Sequence, residues 1–280
     1  MTSGSIVLYK TDIPMVSEVI HSFFRGESSK RKLYLVDNSP TDELSLLADL
    51  YKSQIEYIFA NANLGYGKAH NIAIRKSMEE GFRYHVVLNP DLSFGDDTIT
   101  GLEKFMDEND DVGLCMPDIR NMDDNSRRNC CKLLPTPFNG IFRRFLGNTS
   151  WAKKMDEKYT LKKADYAKVM DVPCLSGCFM FFRNDCLREI GLFDENFFMY
   201  YEDYDISRRV YVASRACYVP FVTAKHVAER ASYKSKRMLW IIIKSAFYYF
   251  NKYGWLFDSE RKRVNQTVLQ RIFTEANTKE

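Results

Sequence analysis

Asn89 and Asp91 stand on either side of Pro90, directly after the apolar run Tyr84–Leu88. The proline ends the strand-like run and stiffens the turn, so the two polar side chains can converge on one point. A carboxylate at such a point suits Mg²⁺ or Mn²⁺, hard ions that prefer oxygen ligands and can bridge two phosphates. A capped turn is the simpler interpretation, because Asn and Asp both favour turns.

A second group of acids, Glu202, Asp203 and Asp205, follows an aromatic run at the start of a predicted helix. Adjacent acids beside aromatic side chains could supply a general base with a shifted pKa. The helix dipole would also favour acids at this position without any catalytic role. Asp205 could instead pair with Arg208 or Arg209 along the helix. The position in the chain leaves both interpretations open.

The glycine-bearing loop Asn63–Gly67 opens a predicted helix. Backbone amides at a helix start can approach an anion, although two glycines in this spacing also make a simple turn. The loop is not a dinucleotide fingerprint, because it follows the third predicted strand and lacks the third glycine. A GxxxxGK[ST] phosphate loop is also absent from the sequence. Both observations argue against the common dehydrogenases and ATPases.

Histidine and cysteine give weaker signals. His226 is one of four histidines and becomes a ligand candidate only if a metal is already proposed nearby. The seven cysteines are odd in number and form no Cys-x-x-Cys pair, which favours buried thiols in a reducing compartment over a disulfide framework. A zinc site at Cys174 and Cys178 would lack a second pair of ligands at matching spacing.

The elements that must position these residues alternate regularly through the first 116 residues. This alternation predicts an α/β fold with a mostly parallel central sheet and helices on both faces. The predicted strands are Ser5–Tyr9, Lys32–Asp37, Ile55–Ala60, Tyr84–Leu88 and Val112–Met116, and the predicted helices are Pro14–Phe24, Glu43–Tyr51, Lys68–Glu80 and Asp97–Glu108.

Ligands of open parallel sheets bind beyond the carboxyl ends of the strands. Asp37 and Asn38 end the second predicted strand, Asn63 and Gly65 follow the third, and the Asn89–Asp91 segment follows the fourth. We therefore expect all three groups at the same edge of the sheet, within reach of one ligand.

The remainder of the chain is less regular. Residues 118–170 are polar and basic, and regular structure returns at Val172–Arg183, Glu202–Val212 and Ala216–Pro220. The basic and aromatic tail Lys234–Phe257 predicts either a helix packed on the core or an amphipathic helix on a membrane surface. The expected organisation is one domain over 1–232, with a nucleotide-binding half 1–117, an irregular excursion 118–170 and a catalytic half 171–232, followed by a helical extension over 233–280.

The overall composition is that of an ordinary folded protein, with 45% hydrophobic and 28% charged residues among 280. The net charge of +3 gives no reason to expect nucleic acid as a partner. We find no basic segment followed by an apolar leader, and no run of about 18 apolar residues that would predict a spanning helix. The sequence therefore predicts a cytoplasmic location.

Taken together, these motifs resemble the inverting glycosyltransferases of family 2, which have the GT-A fold and include bacterial polysaccharide enzymes. The similarity runs from about Ile6 to about Ser232. It lies in VDNS at Val36–Ser39, NLGYGKAHN at Asn63–Asn71, LNPD at Leu88–Asp91, SGCFMFFR at Ser176–Arg183, YYEDYDISRR at Tyr200–Arg209, and His226 followed by Ser232.

The resemblance implies a nucleotide-sugar donor and assigns residues to it. Asp37 would contact the nucleobase, with Asn38 beside it, and Asn63, Gly65 and Lys68 would lie near the nucleoside. The form of the LNPD and NLGYG motifs favours dTDP-rhamnose, and UDP-hexoses remain open.

The resemblance also implies a metal and a base. Asn89 and Asp91 correspond to the family's DxD motif, with Asp91 as the ligand of Mg²⁺ or Mn²⁺ and His226 as a further metal or diphosphate contact. Asparagine replaces the first acid of that motif, a departure typical of the rhamnosyltransferase-like branch. Glu202 and Asp203 correspond to the ED motif, which supplies the catalytic base, and we favour Asp203. The cations expected to hold the diphosphate or orient the acids are Arg208 and Arg209.

The implied reaction is one inverting displacement, in which an acceptor hydroxyl attacks the anomeric carbon opposite the diphosphate. The implied acceptor is a glycan, lipid-linked, in bacterial surface polysaccharide synthesis, with the enzyme peripheral on the cytoplasmic face of the inner membrane. The basic residues of the excursion either contact a lipid-linked diphosphate or form a solvated loop. They are Arg127, Arg128, Lys132, Arg143 and Arg144.

Two alternatives remain. A nucleotidyltransferase also uses metal and nucleotide on a related core, but usually carries a glycine-rich basic loop after the first strand, where this chain has Tyr9–Ile13 without glycine. A non-catalytic glycan- or nucleotide-binding protein is the other alternative, and the intact Asp91 and Glu202–Asp203 argue against it.

Overall fold

The strand and helix alternation predicted for the first 116 residues is present in the computed structural model, which describes residues 1–26, 30–139, 149–227 and 236–277. The predicted helix at Glu43–Tyr51 is a 3-10 helix. The other elements of this part are β1 Thr2–Leu8, α1 Ile13–Phe24, β2 Arg31–Asp37, β3 Ile55–Phe59, α2 Tyr66–Glu79, β4 Tyr84–Leu88, β5 Leu92–Phe94, α3 Asp97–Glu108 and β6 Val112–Asn121.

The second part of the chain is richer in structure than its sequence pattern predicts. The last strand continues beyond Pro220 to His226, because a register irregularity between Val219 and Thr223 accommodates the proline. Arg143, Arg144 and Ser232 lie outside the described residues. The elements are β7 Cys131–Lys132, α4 Ser150–Tyr159, β8 Met170–Asp171, β9 Cys174–Leu175, β10 Phe179–Arg183, α5 Asn184–Ile190, α6 Glu202–Ala213, β11 Arg215–His226, α7 Lys236–Tyr253 and α8 Ser259–Asn277.

The central sheet has the strand order β3-β2-β1-β4-β10-β6-β11-β5. Strands β3, β2, β1 and β4 are parallel, and β10 enters antiparallel between β4 and β6. The side chains of β2 alternate between two cores. Leu33 and Leu35 pack in the main core, which includes α1, whereas Tyr34 and Val36 pack with Ala69 of α2. Helices therefore cover both faces, which confirms the predicted mostly parallel α/β architecture.

The register of the parallel strands aligns their carboxyl ends. Leu8 pairs with Asp37, Asp37 pairs with Phe59, and Leu88 pairs with Ile6. The segments that follow β2, β3 and β4 therefore leave the sheet at the same edge, as the sequence predicts.

Helix α7 of the C-terminal extension packs on the domain through one face. Its Ala246, Tyr249 and Phe250 form a buried cluster with Phe197 and Tyr201, next to the start of α6. Among the described residues, no helix has the length and apolar character needed to cross a membrane. The tail was predicted either to pack on the protein or to lie on a membrane surface, and one side of α7 does pack on the protein.

Candidate active site

Asp37 lies at the end of β2 and is fully buried. One carboxylate oxygen accepts a hydrogen bond from the Ser39 amide at 2.8 Å, and the other accepts from the Tyr57 hydroxyl at 2.6 Å. Ser39 and Lys10 line an adjoining cleft of about 510 Å³. Asp37 therefore fixes the wall of this cleft, and its own oxygens are already engaged.

The loop after β3 is held by close backbone contacts. Gly65 has φ of +83°, and a Cβ atom there would lie 2.2 Å from the carbonyl oxygen of Phe198, so only glycine fits. The Asn38 side chain donates to the Gly65 carbonyl at 2.9 Å, and the Asn63 side chain accepts from the Gly65 amide at 3.1 Å. Asn38, Asn63 and Gly65 are thus brought together, as expected for one edge of the sheet.

Lys68 is turned away from this loop. Its ammonium group lies 3.7 Å from Glu195, and its side chain is about half exposed. In this conformation Lys68 pairs with Glu195 and not with the loop expected to hold the nucleoside. The role of Lys68 in donor binding remains a prediction.

Asn89, Asp91 and His226 meet where β4 ends. Strand β5 follows Asp91 and pairs antiparallel with the end of β11, which sets His226 opposite Leu92. His226 Nε2 lies 2.9 Å from Asp91 Oδ1 and 3.4 Å from Asn89 Nδ2. Although burial alone would lower the pKa of His226, the neighbouring Asp91 carboxylate raises it above its usual value.

The Asp91–His226 contact is suited to a cation. Asp91 Oδ1 and His226 Nε2 are 2.9 Å apart, and His226 Nδ1 is buried without a hydrogen-bond partner in the described part of the chain. With a proton on Nε2 this contact is a hydrogen bond to Asp91, in agreement with the raised pKa of His226, and a metal ion would have to replace that proton. No group of three or more His, Cys, Asp or Glu side chains capable of holding a metal is found among the described residues. Asp91 and His226 would therefore supply one carboxylate oxygen and one imidazole nitrogen to a divalent ion, and phosphates and water would have to complete its coordination.

The acid pair begins α6 after a strained turn. Tyr200 and Tyr201 have φ of +68° and +69°, a left-handed conformation that is rare for bulky side chains and costs of order 1–3 kcal/mol per residue. The Tyr201 ring packs against the Tyr249 and Phe250 rings of α7, with centroids 5.5 and 6.2 Å apart. Packing by the C-terminal extension thus stabilises the turn that presents the acids.

Glu202 and Asp203 have different surroundings although they are adjacent. Glu202 is 5% exposed, and its Oε2 atom has no hydrogen-bond partner among the described residues. Burial and then the charge of Asp203 raise the pKa of Glu202 well above its usual value. Asp203 is partly exposed, and its oxygens accept from the Gly177 amide at 3.2 Å and the Tyr204 amide at 2.9 Å. Burial also raises the pKa of Asp203, but the Lys132 charge and these amides oppose the shift.

Lys132 lies beside the acid pair, where the sequence analysis placed it only among the basic residues of the excursion. Strand β7 pairs with β9, and this pairing carries Lys132 to the start of α6. Its ammonium group donates to the Tyr204 hydroxyl at 3.2 Å, and the Tyr159 hydroxyl donates to the same oxygen at 2.8 Å. Although burial would lower the pKa of Lys132, Tyr204 and Asp203 raise it. Lys132 is thus a cation positioned to favour the ionised form of Asp203.

Tyr66 and Gly177 connect the two halves of the site, and the sequence analysis did not single out either. The Tyr66 hydroxyl donates to the Gly177 carbonyl at 2.5 Å and lies 3.3 Å from Asn89 Oδ1. The Gly177 amide in turn donates to Asp203. Both residues stand inside the motifs NLGYGKAHN and SGCFMFFR, so their positions in those motifs were the available signal.

Arg208 and Arg209 do not join the other candidates, contrary to the expected contact with diphosphate or with the acid pair. Arg208 is buried and forms a bidentate ion pair with Asp258, with N–O distances of 2.7 and 2.8 Å. Arg209 bonds Asp205 and the carbonyl oxygens of Ile190 and Leu192. The helix rotates both guanidinium groups away from Asp203 and toward neighbouring elements.

Two other basic residues of the excursion also have partners within the protein. Arg127 pairs with Asp118 at 2.6 Å, and Arg128 donates to the Val227 carbonyl at 3.0 Å. All seven cysteines are free and buried, as predicted, and include Cys174 and Cys178.

Comparison with known proteins identifies the family of this chain. The sequence profile of glycosyl transferase family 2 matches residues 6–191. A low-salt glycan biosynthesis hexosyltransferase of Haloferax volcanii is 26% identical over 268 residues, which cover 94% of this chain and 79% of that protein. An N-acetylglucosaminyl-diphospho-decaprenol L-rhamnosyltransferase of Mycobacterium tuberculosis is 27% identical over 204 residues, or 69% of this chain and 65% of that protein.

Solved structures share the fold at low sequence identity. GalNAc-T7 with UDP, GalNAc and Mn²⁺ superposes with a TM-score of 0.62 at 13% identity, over 81% of this chain and 43% of that chain. TarS of S. aureus superposes with a TM-score of 0.60 at 14% identity, over 97% of this chain and 43% of that chain. The chain thus spans less than half of these two structures. The architecture is that of the GT-A glycosyltransferases, and the chain belongs to glycosyl transferase family 2.

Proposed function

We propose that this glycosyltransferase moves a hexose or deoxyhexose, with rhamnose favoured, from a nucleotide diphosphate sugar to a lipid-linked glycan acceptor with inversion of configuration. The observation that carries the proposal is the junction of two groups in one site. The Asp91–His226 pair and the Asp203 carboxylate are connected through Asn89, Tyr66 and Gly177. A site that must hold a leaving diphosphate beside an attacking hydroxyl needs both groups.

Asp203 is the residue we assign as the general base. It is accessible to an acceptor, and two backbone amides and the Lys132 charge favour its ionised form. Burial and then the charge of Asp203 raise the pKa of its neighbour Glu202 well above the usual value, so Asp203 is the acid of the pair that ionises more readily. Asp203 accepts the proton of the acceptor hydroxyl, whose oxygen attacks the anomeric carbon opposite the diphosphate.

Asp91 and His226 are the residues that would hold Mg²⁺ or Mn²⁺ on the donor side. Such an ion supplies electrostatic stabilisation to the negative charge that develops on the leaving diphosphate. The Mn²⁺ and UDP present with GalNAc-T7, a protein of the same fold, support this part of the proposal. The donor residues we propose are Asp37, Asn38, Asn63, Gly65, Lys68 and Asn89, with Asp37 acting through the wall of the cleft.

The choice of sugar and acceptor follows the two relatives. One acts as a hexosyltransferase in glycan biosynthesis, and the other is a rhamnosyltransferase named for an N-acetylglucosaminyl-diphospho-decaprenol acceptor. LNPD at Leu88–Asp91 and the loop Asn63–Gly67 favour the rhamnosyl branch. These features support dTDP-rhamnose as the first donor to test and UDP-hexoses as the next.

A thermal-shift screen of sugar nucleotides with and without Mn²⁺ tests the donor half. A ligand that binds only the folded chain raises Tm. At a hundredfold excess over Kd, it increases the free energy of unfolding by about 2.7 kcal/mol. We expect a metal-dependent increase with dTDP-rhamnose or one UDP-hexose, and loss of the metal dependence in D91A. D97A, which removes an exposed acid at the start of α3, is the matched control and keeps the response.

The result that would contradict the proposal is the absence of any sugar-nucleotide shift, with or without acceptor present. A shift with free nucleotide but no transfer to any acceptor would instead favour the non-catalytic binding protein.

A further inference from the structure

The outer face of α7 and the loop after it expose an unusual number of large apolar side chains. Trp240 is 71% exposed and Phe247 49%, while Leu256 and Phe257 are 80% and 94% exposed. The Phe247 ring packs against Trp255 with centroids 4.9 Å apart, which joins the helix to the loop in one surface. We call this surface, formed by Trp240, Phe247, Leu256 and Phe257, the aromatic face.

The aromatic face is opposite the side of α7 that packs on the protein. Trp240, Lys244, Phe247 and Asn251 recur at the spacing of one helix face, and all four are exposed. The buried residues Ala246, Tyr249 and Phe250 occupy the other side. Nothing among the described residues covers the aromatic face. Transfer of such side chains out of water is favourable by about 25 cal/mol per Å² of apolar area.

The charged residues of the segment that forms the aromatic face have one sign. Residues 236–257 contain no aspartate or glutamate. Lys236, Arg237 and Lys244 are exposed beside Trp240. Lys252 differs, because it bonds Asp194 and Asp205 on the packed side. The exposed face is therefore apolar at its centre and cationic at its edge.

We propose that the aromatic face lies on an anionic lipid bilayer, with Leu256 and Phe257 inserted among the acyl chains and the cations on the headgroups. A helix with this pattern lies in the membrane interface, where tryptophan is favoured and nearby cations are attracted to anionic headgroups. A second copy of the same face is a poorer occupant, since two-fold pairing would bring the two sets of cations together.

This orientation places the acid pair close to the membrane. The buried side of α7 contacts Tyr201, which directly precedes Glu202. One helix diameter, about 10 Å, thus separates the acid pair from the bilayer surface. A sugar joined through a diphosphate to a membrane lipid would stand at a similar height. This consequence rests on the proposed lipid-linked acceptor, whereas the membrane contact itself does not.

Vesicle sedimentation with the full chain tests the inference. We expect binding to vesicles that contain phosphatidylglycerol, weak binding to phosphatidylcholine alone, and release by salt. W240S/F257S should lower the partition coefficient by about tenfold or more, because two large apolar side chains are lost from the interface. The matched control W151S/F221S removes an exposed tryptophan and an exposed phenylalanine elsewhere, 59% and 58% exposed, and should bind as wild type.

A second variant separates membrane contact from folding defects. Lys236, Arg237 and Lys244 are exposed and form no hydrogen bond or ion pair with the described parts of the chain, so K236E/R237E/K244E should keep Tm and lose binding to anionic vesicles. Equal binding by all variants, or no binding by wild type, overturns the inference. Concentration-dependent self-association that W240S/F257S abolishes, without vesicle binding, would assign the face to a second copy.

The same samples distinguish this inference from the proposed function. Sugar-nucleotide binding in solution does not involve the aromatic face, so W240S/F257S should keep the donor-induced Tm shift. Vesicle binding without any donor shift would leave the membrane contact standing and remove the proposed transfer activity.

Discussion

The two sides of the proposed active site are held in place by different means. On the donor side, the partners in the first half of the chain are near in sequence: Asp37 bonds Ser39 and Tyr57, and Asn38 bonds Gly65, whereas His226 reaches Asp91 from the end of β11. On the acid side, α6 depends on the C-terminal extension, through Arg208 with Asp258 and the packing of Tyr201 on α7. The edge formed by Asp37, Asn38 and Gly65 is therefore largely set by the alternating α/β unit, whereas the acid side requires residues about 50 positions further along the chain.

The largest expected effect on stability comes from a substitution that weakens the acid side. Asp258 is buried with Arg208, so D258A leaves a buried guanidinium with only Glu260 as a carboxylate partner. Removal of one member of a buried pair lowers the free energy of unfolding by about 3 kcal/mol or more. Urea unfolding measures this loss. Transfer activity should fall at temperatures where donor binding, measured by calorimetry, is retained.

K162A is the matched control for D258A, because it removes one member of the exposed pair Lys162–Glu157. An exposed pair contributes about 0.5 kcal/mol. If D258A costs no more than K162A, the extension does not hold α6 in the way we describe.

Acid should loosen the donor side first. His85 bonds Ser3 and Ser5, and Ser5 also bonds His70, in a buried network between β1, β4 and α2. Burial lowers the pKa of His85 to about 3, and burial with the nearby His85 lowers that of His70 well below its usual value. The unfolded chain thus binds more protons than the folded one below pH 6.5, near the usual histidine pKa. As pH is lowered, the free energy of unfolding should decrease by up to about 1.4 kcal/mol per pH unit for each histidine.

Urea unfolding between pH 7.5 and 5 tests this dependence. Glu202, Asp203 and His226 have raised pKa values and act in the opposite sense, because the folded state then binds the extra protons as pH falls. The comparison is therefore made in an E202Q background, with and without H70N. An equal pH dependence of the free energy of unfolding with and without H70N would contradict the neutral buried network.

Substitution of Lys132 should have a smaller effect, and it tests whether the Lys132 charge favours the ionised form of Asp203. K132M removes the cation near Asp203, so the pKa of Asp203 should rise further and the acid limb of the pH–rate profile should move up by about one unit. The expected loss is about tenfold on the acid limb, and it disappears at pH values above the limb. The other titratable groups near Asp203 are Glu202, Tyr66, Cys174 and Tyr204.

K132R serves as the control, since it keeps the charge and should keep the acid limb of wild type. A purely structural role for Lys132 would lower the rate equally at every pH, without moving the limb.

The sequence predicts the donor side well because its signals are local. Strand–helix alternation and the parallel register place Asp37, Asn38, Gly65 and Asn89 at one edge without knowledge of distant contacts. The division into domains and the functional roles of the residues remain predictions.

The acid side was harder to predict because its decisive contacts are distant in sequence. Arg208 follows the acid pair closely, but the helix rotates it toward Asp258, 50 residues away. Lys132 is a residue of a basic segment with no periodic pattern, and only the pairing of β7 with β9 brings it to Asp203. The strained backbone at Tyr200 and Tyr201 likewise has no glycine or asparagine to mark it.

The central claim is that Asp203 is the base of a transfer reaction from a nucleotide sugar. The most direct test compares wild type, D203N and E202Q for transfer from the donor found by thermal shift to an N-acetylglucosaminyl-diphospho-prenol, together with donor Kd. The account predicts a loss of about a thousandfold in D203N with Kd unchanged, and a much smaller loss in E202Q. Wild-type transfer by D203N, or a greater loss in E202Q than in D203N, would contradict it.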